Sequence, residues 1–195
     1  MIRIGFIGRT KSLYETIILF SKLDGFEVSF IWTCKDEDYY EFRSKNFRDL
    51  ANKLGIKFIY SYKIDDFIQL VDADVVVSIN FINIIPKYFI NKFKFGIINA
   101  HPGDLPRYRG NACPNWAILN DESKVVLTFH LMDEGLDSGP IIRKEDFQLN
   151  DETYIGEVYD WLYNKIPYGF IKSVKMLTEG CSLEAQKGNV LRVFP

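Results

Sequence analysis

The sequence predicts an α/β fold, a single doubly wound domain with a mostly parallel central sheet. Three observations carry this expectation. Short apolar strands alternate with helical segments over the first hundred residues, the pattern of βαβ units joined by right-handed crossovers. One strand, Asp74 to Ile79, is almost continuously apolar, as expected when both faces are buried. The 195 residues suffice for one domain with a real core, and no linker or repeat divides them. Residues 1–180 are assigned to that domain and 181–195 to a C-terminal tail.

Ile2 to Ile7 reads as the first buried strand, followed by Gly8 and a polar turn. Ser12 stands as cap of a helix over Leu13 to Leu23, with Glu15 three residues on in capping-box position. Asp24-Gly25 ends it, and Phe26 to Thr33 is the second strand. Lys35 to Leu54 has a helical period and stops at Gly55. Ile56 to Tyr60 is a third strand, Ile64 to Val71 a helix, and Asp74 to Ile79 the fourth strand. Pro86 opens a short helix before the fifth strand, Phe95 to Ala100. Pro102 to Asn115 is too rich in Pro, Gly, Arg and Asn for a core element and reads as a loop. Trp116 to Leu119 is a short helix, and Val125 to Met132 and Pro140 to Phe147 are two further strands. Asp151 to Leu177 forms a final amphipathic helix containing Pro167, and Ser182 to Pro195 an irregular or extended tail.

Composition narrows the function. The formal net charge of −2 offers no counterion-driven hold on nucleic acid or an anionic membrane. An anionic substrate must therefore be gripped by a few placed cations. Cys34, Cys113 and Cys181 fit neither a disulfide framework nor a metal-ligand spacing, which points to a reducing compartment and to no metal. The opening MIRIGFIG lacks the parts of a secretory signal, and no run approaches the ~20 apolar residues of a membrane span. A cytoplasmic protein is expected.

Asn99-Ala100-His101-Pro102 places Asn99 and His101 on one side of a strand at its carboxyl end, where open α/β sheets hold their ligands. An amide there can donate to an oxyanion, and a histidine can exchange a proton near neutral pH. The local pattern equally fits a loop-capping Asn and a structural His. Asp133-Glu134-Gly135-Leu136-Asp137-Ser138-Gly139 is a tight acid-rich turn between two strands, able to aim a carboxylate inward or to sit in solvent. It lacks the ligand spacing of a calcium loop. His130, on an apolar strand two residues after Thr128, reads as a core or supporting residue rather than a catalyst. Gly8 to Ser12 sets Arg9, Lys11 and hydroxyls at a helix start, a seat for phosphate without a dinucleotide fingerprint or P-loop. Arg107, Tyr108 and Arg109 form a second basic loop, which is equally a solvated one. The aromatic stretch Tyr39 to Phe47 reads as core rather than a ligand platform.

Together, Asn99-Ala100-His101-Pro102-Gly103-Asp104-Leu105-Pro106-Arg107-Tyr108-Arg109-Gly110 and Asp133-Glu134-Gly135-Leu136-Asp137-Ser138-Gly139-Pro140-Ile141-Ile142 strongly resemble the folate-dependent formyltransferase family. That family includes methionyl-tRNA, glycinamide ribonucleotide and sugar N-formyltransferases. The resemblance implies a Rossmann-like fold, Asn99, His101 and Asp137 as the catalytic trio, and 10-formyltetrahydrofolate as co-substrate. It puts the pteridine near Phe81, Ile82, Asn83, Ile84 and Ile85 and near Met132, Asp133, Gly135 and Leu136.

The loop PRYRGNACPNWAI looks most like that of the sugar N-formyltransferases, which act on nucleotide-activated amino sugars. On that reading Arg9 and Lys11, or Arg107, Tyr108 and Arg109, meet the substrate's diphosphate and base. A tRNA acceptor is disfavoured by the slightly acidic charge and the short length after the catalytic blocks. A glycinamide ribonucleotide acceptor fits the size, but Arg9-Thr10-Lys11 departs from that group's Gly/Ser-rich turn. An aminoacyl carrier, a formyltetrahydrofolate hydrolase and a non-catalytic binding module remain as alternatives. The expected partners are folate and a nucleotide sugar, without nucleic acid or membrane; a homodimer through the final helix and tail is left open.

Overall fold

The computed structural model describes residues 1–36, 41–188 and 190–193. The strands are β1 (Ile2–Gly8), β2 (Phe26–Thr33), β3 (Lys57–Tyr60), β4 (Val75–Ile79), β5 (Ile97–His101), β6 (Tyr108–Gly110), β7 (Lys124–Leu131), β8 (Ile141–Gln148) and β9 (Leu191–Val193). The helices are α1 (Lys11–Phe20), α2 (Ser44–Leu54), α3 (Lys87–Ile90), α4 (Cys113–Leu119) and α5 (Ile155–Thr178). One seven-stranded sheet runs β3-β2-β1-β4-β5-β7-β8, parallel at β3-β2-β1-β4 and antiparallel at β7-β8. This is the predicted α/β class, a mostly parallel mixed sheet. The chain forms two compact units, residues 1–98 and 99–195.

In the first unit the crossovers follow the sequence pattern. α1 buries Leu13, Ile17 and Phe20 on one face. It starts at Lys11 behind Thr10, so the expected Ser12 cap is instead a buried first-turn residue, and Thr10 gives no side-chain capping bond. α2 is the C-terminal part of the helix expected over Lys35 to Leu54 and ends at left-handed Gly55. Residues 37–40, including Tyr39 and Tyr40 of the aromatic stretch, lie outside the described residues. Of that stretch, Phe47 is buried core. Val75 to Ile79 are all buried. The helix expected over Ile64 to Val71 is instead two 3-10 turns, 64–66 and 68–70, interrupted at Phe67, whose backbone is not helical (φ −139°, ψ 1°). Trp32 centres the aromatic core between Phe67, Phe81 and Phe89.

In the second unit α5 lays Val158, Leu162, Ile166, Phe170 and Val174 in steps of four against β7 and β8, and runs continuously through Pro167. Two departures from the sequence reading concern the region after β5. The loop expected over Pro102 to Asn115 contains β6, and the tail contains β9; the two pair in parallel, Tyr108 with Leu191 and Gly110 with Val193. Partners some eighty residues apart leave no local signature in either segment. The expected tail residues 194–195 lie outside the described residues. Among the described residues no helix is long and apolar enough to cross a membrane.

Candidate active site

β5 carries Asn99 and His101 on one side of the strand, as the alternation requires. His101 is buried, and its Nε2 lies 2.7 Å from the Tyr108 carbonyl. A carbonyl only accepts, so Nε2 holds the hydrogen and Nδ1 is left as the basic nitrogen of the neutral ring. Gly103 makes this contact fit: a Cβ there would lie 2.5 Å from His101 Nε2 and 2.6 Å from the Tyr108 oxygen. Thr128 on β7 donates its hydroxyl to the Gly103 carbonyl at 2.7 Å and fixes that approach.

Asp137 sits in the loop between β7 and β8 at φ +48°, with its side chain mostly buried. Its Oδ2 lies 3.6 Å from His101 Nδ1 and accepts the Gly110 N–H at 2.9 Å. Its Oδ1 lies 3.7 Å from His130 Nε2. Burial pushes the carboxyl up. The hydrogen bond from His130, the charge of His101 and the Gly110 N–H outweigh burial and bring its pKa to about 2. Asp133 shapes the loop by accepting from Gly135 N–H at 3.0 Å and the Ser138 hydroxyl at 2.6 Å.

His130 belongs to the same cluster. A register shift between Phe129 and His130 interrupts the β7-β8 ladder at this residue, a place where strands re-aim side chains. Nδ1 is committed to the Leu131 carbonyl at 2.8 Å, and Nε2 lies 3.2 Å from Asn99 Nδ2. The neutral ring thus takes the Asn99 amide hydrogen, while a protonated ring turns an N–H toward Asp137. The sequence reading gave His130 only a supporting place; the signal was its spacing from Thr128, since both side chains reach the β5 segment.

His101 itself is pulled two ways. Burial lowers its pKa, and Asp137 and the Tyr108 carbonyl only partly restore it, so it stays below the ordinary histidine value. The resting imidazole is neutral at pH 7. Cys113 Sγ lies 3.6 Å from His101 Nε2, but burial and then Asp137 push the thiol up to about 12. It stays protonated and is no nucleophile.

The structure brings Asn99, His101 and Asp137 together within the second unit, with His130 as the link to Asn99. The other expected site residues are distributed as follows. Arg107 pairs with both oxygens of Glu122, at 2.5 and 3.3 Å, and Tyr108 donates its hydroxyl to the same carboxylate at 2.7 Å. Arg109 is held by Gln186. Met132 is half-buried, whereas Asp133, Gly135 and Leu136 are exposed. In the first unit, Arg9 is buried and donates Nε–H to the Asn80 carbonyl, and Lys11 Nζ lies 3.9 Å from Glu41. Phe81 stacks edge-on to Trp32, Asn83 donates to the Tyr62 carbonyl, Ile85 is buried, and Ile82 and Ile84 are exposed. Among the described residues no cluster of His, Cys, Asp and Glu could hold a metal ion.

The profile of the formyl transferase family matches residues 44–174. A methionyl-tRNA formyltransferase of Clostridioides difficile is 37% identical over 115 residues, 59% of this chain and 37% of that protein. A second, from Clostridium tetani, is 32% identical over 146 residues, so the chain spans less than half the length of these curated relatives (47% of the second). Among solved structures, the Helicobacter canadensis N-formyltransferase in complex with folinic acid and dTDP-3-aminofucose superposes with a TM-score of 0.77. It is 21% identical, and the match covers 98% of this chain and 71% of that one.

Proposed function

The chain belongs to the formyl transferase family; from that premise we propose that it moves the formyl group of 10-formyltetrahydrofolate onto the amine of a nucleotide-activated amino sugar. The observation that carries the chemistry is one carboxylate, Asp137, standing between the Nδ1 of His101 and the Nε2 of His130, with the Asn99 amide at that same Nε2.

Folate supplies an activated formyl carbon, and the chain's own groups do the rest. A neutral amine attacks that carbon, and the carbonyl electrons move onto its oxygen. Asn99 donates its amide N–H to the developing oxyanion, a contribution of about 3 kcal/mol if lost. His101 Nδ1, with its tautomer set by the Tyr108 carbonyl, takes the proton that the new C–N bond makes acidic. Asp137, ionised at any pH above its value near 2, steadies the imidazolium so formed. The proton returns to the leaving nitrogen as the tetrahedral centre collapses.

The donor ring is assigned to Met132, Asp133, Gly135 and Leu136; exposed Leu136 supplies an apolar face there. Phe81, Ile82, Asn83 and Ile85 keep the same assignment on the family resemblance. The sugar acceptor is supported by the PRYRGNACPNWAI loop, by the weakly acidic charge, and by the dTDP-aminosugar in the Helicobacter canadensis complex. Arg9 and Lys11, or alternatively Arg107, Tyr108 and Arg109, are the residues proposed to meet its diphosphate and base. A methionyl-tRNA acceptor is the second reading, favoured by the 37% identity to the Clostridioides difficile enzyme. Incubation with 10-formyltetrahydrofolate and a panel of dTDP- and UDP-amino sugars, glycinamide ribonucleotide and Met-tRNA tests the choice. Formylation of an amino sugar is expected; formylation of Met-tRNA or glycinamide ribonucleotide alone overturns it, and formate release without an acceptor marks a hydrolase.

A further inference from the structure

Gln186, in the segment after α5, touches both catalytic loops with one side chain. Its Nε2 donates to the main-chain carbonyls of Asp137, at 2.9 Å, and Gly139, at 2.7 Å. Its Oε1 accepts from Arg109 Nη2 at 2.7 Å and from Nε at 3.2 Å. Both amide hydrogens and both oxygen lone pairs are thereby used. The amide's orientation is forced, since carbonyls need its donor end and a guanidinium needs its acceptor end.

The backbone on either side of Gln186 is tied down as well. Glu184 forms a two-bond bridge with Ile141 at the start of β8, with N–O distances of 2.8 and 2.9 Å. Residues 191–193 pair with β6, which ends at Gly110. Gly110 in turn donates its N–H to Asp137 Oδ2. The tail therefore fastens the Asp137 loop through Glu184 and Gln186, and the Arg109 loop through Gln186 and β9. What it holds needs holding: Asp137 sits at φ +48°, in the left-handed region that a non-glycine residue seldom adopts.

We propose that Gln186 is a positioning residue for formyl transfer, and that the tail segments 184–186 and 191–193 form a strap that keeps the Asp137 carboxylate against His101. It touches no reacting atom. Its contribution is precision, and displacement of a catalytic group by about 1 Å costs on the order of a hundredfold in rate.

Two variants test it. Gln186→Met keeps the length and removes all four hydrogen bonds. Gln186→Glu keeps the Arg109 end and sets an acceptor against the Asp137 and Gly139 carbonyls. Both are expected to lower kcat about 10–100-fold with KM for the folate donor little changed. The amide of Gly110 should exchange with solvent about tenfold faster, while amides of β1 keep their protection. The kinetic half rests on the formyl-transfer reading, and the exchange half does not. A wild type inactive on every acceptor, with faster Gly110 exchange in the variants, removes that reading and leaves the strap standing. An active wild type whose variants match it in kcat and in Gly110 exchange overturns the strap. Should Gln186→Met unfold, shown by lost β1 protection, Gln186→Glu is read by the same criteria.

Discussion

Nδ1 of His101 faces Oδ2 of Asp137 at 3.6 Å, while the opposite ring nitrogen gives its hydrogen to the Tyr108 carbonyl. The ring is thus oriented from both sides, and its basic nitrogen points at a carboxylate able to stabilise the imidazolium. Burial alone would leave this histidine a poor base; the carboxylate returns part of what burial takes.

Asp137→Asn removes that support without changing shape. We expect kcat to fall about a hundredfold or more in a variant that still folds, with a melting temperature lowered by several degrees as the carboxylate's stabilisation is lost. The sign of the pH effect follows from the same pair. Asp137 raises the His101 pKa, while His130 and Arg109 lower it, so losing the carboxylate must move the His101 limb of the pH–rate profile to lower pH. A limb that stays in place or rises contradicts the pairing.

Asn99→Ala should cost about 10²–10³ in kcat, with KM nearly constant, if the amide meets the oxyanion only in the transition state. Steady-state kinetics with saturating folate donor reads this. A change confined to KM would assign Asn99 to ground-state binding instead.

Gly103→Ala drives a methyl group into His101 Nε2 and the Tyr108 oxygen. Neither neighbour is the free end of a flexible chain, since the ring is buried and the carbonyl is backbone. A stability loss of about 1–3 kcal/mol is expected together with loss of turnover. Thermal melting and the transfer assay check both.

Acid should destabilise the fold in two separate windows. His101 has a folded pKa below its ordinary 6.5, so protonation favours the unfolded chain and stability falls as pH drops below that value. Asp137 is depressed from 3.8 to about 2, so its contribution is present above 3.8 and is lost as pH falls toward 2. That second loss amounts to roughly 2 kcal/mol. Denaturant midpoints for wild type and Asp137→Asn should differ in slope below pH 4; parallel curves there refute the assignment.

Much of this architecture was legible in the residues because the signals are local. The apolar run before Ile79, the Gly55 stop and the alternation of Asn99 with His101 depend on neighbours a few positions apart. The Ser12 cap does not form because α1 starts at Lys11, which leaves Ser12 buried in the first turn. The β6-β9 pair and the four bonds of Gln186 were invisible for a different reason. They join segments 47 to 83 positions apart, and neither partner carries a composition that announces it. His130 was underrated because an apolar strand hides a polar role until the ladder irregularity beside it is seen.

The central claim is that His101 and Asp137 of this chain carry formyl transfer from folate to an amine. The direct measurement is single-turnover transfer from 10-formyltetrahydrofolate to the preferred acceptor by wild type, His101→Ala and Asp137→Ala, each with its melting curve. The account predicts folded variants slower by about a hundredfold or more. Folded variants with near-normal turnover would contradict it.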